Sequence, residues 1–241
     1  HHPAHRPSPL RRLPPRPAGM DRPEAPNARF IAAEARFGDR LVKGSPFSAE
    51  TVIEDNKRLF DGTTVTKERR GAFYRDGEGR TRREQPLENV AGVSVVGTDN
   101  KPQLLIFIND FGTQQQIFLD VNNKIARKNP LGPGPGPIDL RPGSNEENLG
   151  TKTIEGVVAE GTRVSFDIPA GRFGNDKPMK AYTERWFSKE LQVLVMSRHL
   201  DPVVGEHVFR LVNIKRGEPN AQLFSVPADY RIEKSDRRPR D

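Results

Sequence analysis

The chain has 241 residues, a net charge of +7 and no cysteine, which excludes disulfides, thiol nucleophiles, thiolate metal sites and a lipid-bearing N-terminal Cys. No apolar run approaches the roughly 18 residues of a membrane-spanning helix. Leu, Ile, Val and Phe make up 58 residues, about 24% of the chain and above the roughly 20% that marks disorder, whereas 22 Pro, 21 Gly and a mean hydropathy of −0.72 imply a thin core with much turn and solvated strand.

Residues 1–26 consist almost wholly of Pro, Arg, His and Ala, and are predicted to be a disordered Pro/Arg-rich tail with partial polyproline character. Five arginines against Asp21 and Glu24 give this segment a charge of +3, and the charged tail at the other end carries +2 over 231–241. Only +2 is left for residues 27–230, so the basicity does not mark a nucleic-acid face on the folded part. The N-terminus lacks the apolar stretch of a signal peptide, so export requires that a signal has been removed or that the start is wrongly drawn.

Asn27 can cap a short helix to Phe37, with Phe30, Ile31 and Ala35 on one side and Gly38 ending it. Residues 47–85 then read as a three-stranded meander, turning at Asp61-Gly62 and at Asp76-Gly77-Glu78-Gly79. Leu104–Ile108 and Gln116–Val121 are two further strands, and Asn122-Asn123 suits a hairpin into Lys124–Lys128 because Asn tolerates left-handed φ. The Pro/Gly stretch 130–148 is predicted to be an exposed loop unable to join a ladder.

The second half predicts strands near 153–168, 180–187, 191–199 and 206–215. The last two are apolar on both sides, with Val193 and Val195 against Leu194 and Met196, and Val208 and Val212 against Phe209 and Leu211, so they should lie centrally. Together residues 27–232 form a single β-rich domain and 233–241 a charged disordered tail. The fold class is mainly β: a curved antiparallel sheet, an open half-barrel, with one or two short helices.

The segment from Pro46 to Glu84, the run Arg185–His199 and the ending Val208–Ile232 resemble uncharacterised exported bacterial proteins related to the lipoprotein-carrier (LolA/LolB-like) group. The likeness covers most of residues 27–232, and Trp186 occupies that group's Trp-bearing strand. Phe224, Pro227 and Tyr230 stand as in its closing pattern. The resemblance implies a curved sheet wrapped around helices, an apolar hollow, a periplasmic or secreted bacterial location, and a lipid or an envelope protein as partner.

Catalytic patterns are missing. Gly92-Val-Ser94-Val-Val96-Gly97 is one residue too long for a serine elbow and lacks a helical sequel. Asp120-x-Asn122-x-Lys124 begins like a calcium loop, but Ile125 stands where the turn needs Gly and Leu131 where Glu is needed, so a plain hairpin is expected. Gly132–Pro137 lacks the Lys and Ser/Thr of a phosphate loop, and Glu146-Glu147 solvates a polar loop. Lys67, Arg69, Arg70, Arg75, Arg80, Arg82 and Arg83 beside Phe73 and Tyr74 could contact single-stranded nucleic acid, yet a solvated hairpin face is the simpler reading. Tyr182, Trp186 and Phe187 read as core anchors of the sheet more than as a ligand wall.

If the turn Asp201–Gly205 is centred on Val203, His199 and His207 face each other across a hairpin. Glu206 then points to the opposite side, a third metal ligand is missing, and an exposed polar pair is expected. No catalytic, cofactor-binding or metal-binding residue is therefore assigned, and no ligand-binding residue is identified. The sequence supports a non-catalytic cell-envelope binding or carrier module for a lipid or other apolar ligand, needing no cofactor. The competing reading is a structural or protein-interaction component of an extracytoplasmic assembly, which predicts a filled sheet interior.

Overall fold

The computed structural model describes residues 40–87, 96–97, 99–101, 103–132 and 145–234. The expected helix at 27–37, both expected tails except for 233–234, Ser94 and the centre of the Pro/Gly stretch lie outside them. The described residues form one open, curved sheet of twelve strands. In chain order these are β1 (Phe47–Arg58), β2 (Thr64–Arg75), β3 (Thr81–Pro86), β4 (Leu104–Asp110), β5 (Gln115–Asp120), β6 (Ile125–Pro130), β7 (Asn145–Ile154), β8 (Val157–Ile168), β9 (Met179–Ser188), β10 (Val193–Asp201), β11 (Gly205–Arg216) and β12 (Arg231–Lys234). Across the sheet the order is β12-β6-β5-β4-β3-β2-β1-β11-β10-β9-β8-β7. The chain thus lays down β1 to β6 outward on one side, then returns through β7 to β11 to close against β1.

Neighbouring strands are antiparallel, apart from β12, which lies parallel to β6. The one described helical element is a 3-10 turn at Ala221–Phe224, capped by the Asn220 side chain accepting the Gln222 amide at 3.0 Å. This segment brings Phe224, Leu223, Val226 and Tyr230 onto Ile106, Ile108, Leu119 and Ala126. The closing Phe224-Pro227-Tyr230 pattern is therefore a lid over β4 to β6, with the Tyr230 amide bonded to the Pro227 carbonyl at 3.0 Å.

Several boundaries differ from the sequence expectation. The predicted strand 153–168 is two strands joined by Glu155-Gly156, both at positive φ (50° and 75°). Glu is uncommon in such a turn, but here its carboxylate accepts the Asn213 amide at 3.1 Å, and Arg216 donates to the Gly156 carbonyl at 3.1 Å. Contacts from β11 thus hold a turn that local chemistry does not announce. Residues 145–148, expected in the loop, begin β7, with Glu146 opposite Val164 and Glu147 opposite and 3.7 Å from Arg163. The β5–β6 hairpin forms as read, but its left-handed residue is Lys124 (φ 51°), while the Asp120 carboxylate accepts from both the amide and the side chain of Asn123.

The main core gathers Phe47, Phe73, Trp186, Val193, Val195, Phe209 and Leu211. β10 and β11 lie near the middle of the sheet as expected, and a bulge between Leu194 and Met196 lets three successive residues, Val193 to Val195, all be buried. Arg75 is the largest fully buried side chain, which corrects its placement on a solvated face. Its guanidinium donates to the Ser45 carbonyl at 3.0 and 3.1 Å and to the Leu191 carbonyl, and stacks 4.8 Å over the Phe47 ring. Burial, with nearby Arg40, pushes its pKa down to about 10, so it stays charged at neutral pH and needs those carbonyls as partners.

Trp186 is buried, as expected of an anchor. Its ring lies on Gly161 of β8, where an added Cβ would come within 2.6 Å of the indole, while Lys152 covers it at 4.0 Å and its N–H donates to Glu184 at 2.7 Å. Trp186→Ala is expected to cost about 3 to 5 kcal/mol and Gly161→Ala about 1 to 3 kcal/mol by overpacking. Urea denaturation of the double variant checks the contact: with the indole gone, the alanine at 161 should lose most of its penalty, and simple additivity would contradict the stacking.

Candidate functional site

Alternate residues of a strand share a face, so the pairing register defines what lines each side of the sheet. On one side, Thr51, Ile53 and Asp55 of β1 pair directly with Gly71, Arg69 and Lys67 of β2, and with Leu211, Phe209 and His207 of β11. Tyr182 and Glu184 lie on the opposite side, because the register pairs Tyr182 with Leu200 and Leu200 with Glu206, while Trp186, beside the bulge in β10, packs with Phe209 and Leu211 in the main core. Phe187 is out of phase with Trp186 along β9 and instead meets Arg40 at 5.4 Å. The three aromatics singled out in the sequence are therefore not brought together as one wall.

The sheet forks at Gly71. β2 has twelve residues, but β3 pairs with only its last four, Ala72 to Arg75, while all six residues of β3 stay paired with β4. The turn between β2 and β3 is fixed by Asp76, whose carboxylate accepts the Arg80 amide at 2.8 Å and the Arg80 guanidinium at 2.6 Å. At the fork, a Cβ on residue 71 would collide with the Glu84 carbonyl oxygen and sit 2.8 Å from the Thr51 hydroxyl. Only glycine fits this approach. Beyond it β2 follows β1 and β3 follows β4, and Pro86, having no N–H, suits a strand end that has left its neighbour.

The gap holds a cavity of about 250 Å³, lined among others by Thr51, Ile53, Arg69, Gln85, Leu87 and Leu105. Its walls are apolar at Ile53, Leu87 and Leu105, with cations at Arg69 and Arg70 and an amide at Gln85. None of these residues forms a motif. The sequence clues were weak: a Gly inside a strand run, and a Pro closing the next one.

From this cavity a polar row crosses five strands. Arg69 forms an ion pair with Asp55; Asp55 accepts from His207 Nδ1 at 2.5 Å; His207 lies opposite His199, with ring centroids 6.0 Å apart; His199 Nδ1 and the Thr183 hydroxyl share a hydrogen bond of 2.9 Å. The register deduced for the histidines is the one found. Their expected exposure is not: His199 is only 1% exposed and the His207 side chain 17%, because β10 and β11 lie in the middle of the sheet. Among the described residues no group of three His, Cys, Asp or Glu is placed to hold a metal.

The hydrogen bond from His207, its charge and that of Arg69 hold the Asp55 carboxyl below the ordinary aspartate range, against the effect of burial. The hydroxyl in the row, Thr183, is itself buried and bonded to His199. The arrangement therefore orients and neutralises charge. Tyr182 on the other face lies between Arg163 at 5.3 Å and Arg198 at 5.9 Å, and these arginines are paired with Glu184 and Glu206. In the basic hairpin, Arg69, Arg70, Arg80 and Arg82 are likewise engaged with carboxylates of this chain, and Arg83 stacks on Phe107 at 5.5 Å.

No protein-family model and no curated protein matches the chain. Solved structures similar to it include a chain from the complex of Pseudomonas aeruginosa MucA and MucB, at 13% identity and TM-score 0.43, covering 85% of this chain and 62% of that one. An uncharacterised conserved protein from Thermus thermophilus is similar at 12% identity and TM-score 0.43, covering 86% and 99%. A LolA superfamily protein from Nitrosomonas europaea is similar at 8% identity and TM-score 0.25, covering 81% and 96%. The group named from the sequence is thus represented among the similar structures. These likenesses concern strand architecture alone, and the chain spans about three fifths of the MucA–MucB chain it matches.

A folded-state pKa held below the unfolded value stabilises the fold above that unfolded value, and the contribution is lost as pH falls through the folded pKa. Asp55 is partly exposed, so Asp55→Asn is expected to cost only about 1 kcal/mol at neutral pH. In urea denaturation the gap between wild type and variant should close as pH falls from about 4 towards 2. A gap that persists unchanged at the acid end would show that Asp55 acts through packing instead.

Proposed function

We propose that this chain is a non-catalytic binding or carrier module of the bacterial cell envelope, periplasmic or secreted, that takes a lipid or other apolar ligand in the fork between β2 and β3. The observation that carries this reading is the cavity of about 250 Å³ with an apolar wall and two arginines and an amide beside it. Ligand pockets are commonly about 300 to 1,000 Å³. This one therefore suits a short apolar ligand or the end of a longer one, with a polar group at Arg69 or Gln85. A structural component with a filled interior would not leave an opening beyond the close approach at Gly71, so the cavity favours the binding module over the interaction component.

Two measurements test it. Native mass spectrometry of the protein from its own cells, followed by lipid extraction, is expected to reveal a stoichiometric apolar molecule. Cis-parinaric acid, a fluorescent fatty acid, is expected to bind saturably, and Leu105→Trp, which fills the cavity, should weaken it about tenfold or more with an unchanged melting profile. A ligand-free protein whose fatty-acid binding is absent or indifferent to Leu105→Trp would overturn the proposal.

A further inference from the structure

Antiparallel strands place alternate turns on opposite rims of a sheet, so the register sorts this chain's loops into two sets. One rim carries the turns at 59–63, 121–124, 169–178 and 202–204, together with the end of β3 and the start of β4. The other carries those at 76–80, 111–114, 155–156 and 189–192.

Eleven large apolar side chains are exposed among the described residues. Eight of them, Leu59, Phe60, Val65, Val96, Leu104, Val121, Val203 and Val204, lie on the first rim, which is too uneven a division for scattered surface residues. Phe60 is fully exposed at the tip of the β1–β2 hairpin, and Val203 and Val204 stand at the tip of β10–β11. These hairpins are neighbours: a Cβ on Gly205 would collide with the Asn56 carbonyl oxygen. Their tips thus stand on adjacent hairpins of one rim.

Cations stand around it as well. Lys57 and Arg58 are exposed at the base of the Phe60 hairpin, and Arg172, Lys177 and Lys180 are exposed at or beside the loop between β8 and β9 on the same rim. Of the nearby acids, Asp201 is buried, accepting the amides of Val203 and Val204 at 2.7 and 3.2 Å; Asp61 is exposed and accepts the Thr63 amide at 2.9 Å, Asp176 is exposed in the β8–β9 loop, and Asp167 pairs with Lys180 at 3.8 Å. Residues 57–67 hold Lys57, Arg58 and Lys67 against Asp61, a net charge of +2.

We infer that this rim docks on the surface of an anionic bilayer, with Phe60, Val203 and Val204 entering the interface and the flanking Lys and Arg meeting lipid headgroups. An aromatic and aliphatic tip ringed by cations matches such a surface in both its terms, apolar insertion and electrostatic attraction. A second protein would need a broader buried area than two hairpin tips offer. The inference stands apart from the ligand reading; the cavity lies on the rim side of Gly71, farther down β2 from the Phe60 tip.

The test is co-sedimentation of the full chain with vesicles of phosphatidylcholine alone and with about one third phosphatidylglycerol, at low and high salt. Wild type is expected to bind the anionic vesicles, more weakly as salt rises. Phe60→Ser should weaken binding about tenfold or more, as loss of one inserted Phe implies, and Lys57→Glu with Arg58→Glu should weaken it at low salt. Thermal melts verify that the variants, all at exposed positions, remain folded. Absent binding, binding unaffected by Phe60→Ser, or a Phe60-dependent dimer without vesicle binding would each overturn the inference.

Discussion

The close approach of the Glu84 carbonyl to Gly71 is the contact from which the site follows. It holds β3 against the end of β2 for four residue pairs, and just beyond it the two strands part. On one side of that point the sheet is continuous from β12 to β7; on the other it is cleft, and the cleft is the cavity. A side chain at 71 would force the Glu84 backbone away and break the pairing that ends the fork, since the obstructing atom is main chain and not the flexible end of a side chain.

The two walls of the fork are anchored by different means, which keeps the gap from closing. The β1–β2 wall is tied through Arg75, whose buried guanidinium joins the carbonyls of Ser45 and Leu191, and so links the start of β1, the end of β2 and the turn before β10. The β3–β4 wall is backed by the closing segment, where Phe224 and Tyr230 pack on Ile106 and Ile108 and Arg82 donates to the Leu223 carbonyl at 2.9 Å. On the β1–β2 side the row from Arg69 through Asp55 to His207 pairs polar groups of the face with one another beside an apolar core.

Where local chemistry decides the structure, the sequence was legible. Asp-Gly turns and alternating strands placed the meander, the symmetry of Asp201–Gly205 placed His199 opposite His207, and the two-faced apolar pattern placed β10 and β11 in the middle. What was missed depends on distant partners. Glu155-Gly156 turns because β11 supplies Asn213 and Arg216; Arg75 is buried because two far carbonyls await it; His199 is buried because other strands flank β10 on both sides. The cavity belongs to this second class, being made by the difference in length of two paired strands and by residues from β1 to β4 that share no pattern in the chain.

Whether the fork between β2 and β3 receives an apolar ligand can be read from isoleucine and leucine methyl NMR during titration with a medium-chain fatty acid. Ile53, Leu87 and Leu105 should shift together and saturate at one equivalent, while Ile154 and Leu191, at the rim opposite to the mouth of the fork, stay in place. Saturating shifts at Ile154 and Leu191, or none at Ile53 and Leu105, would show that the ligand does not enter the fork.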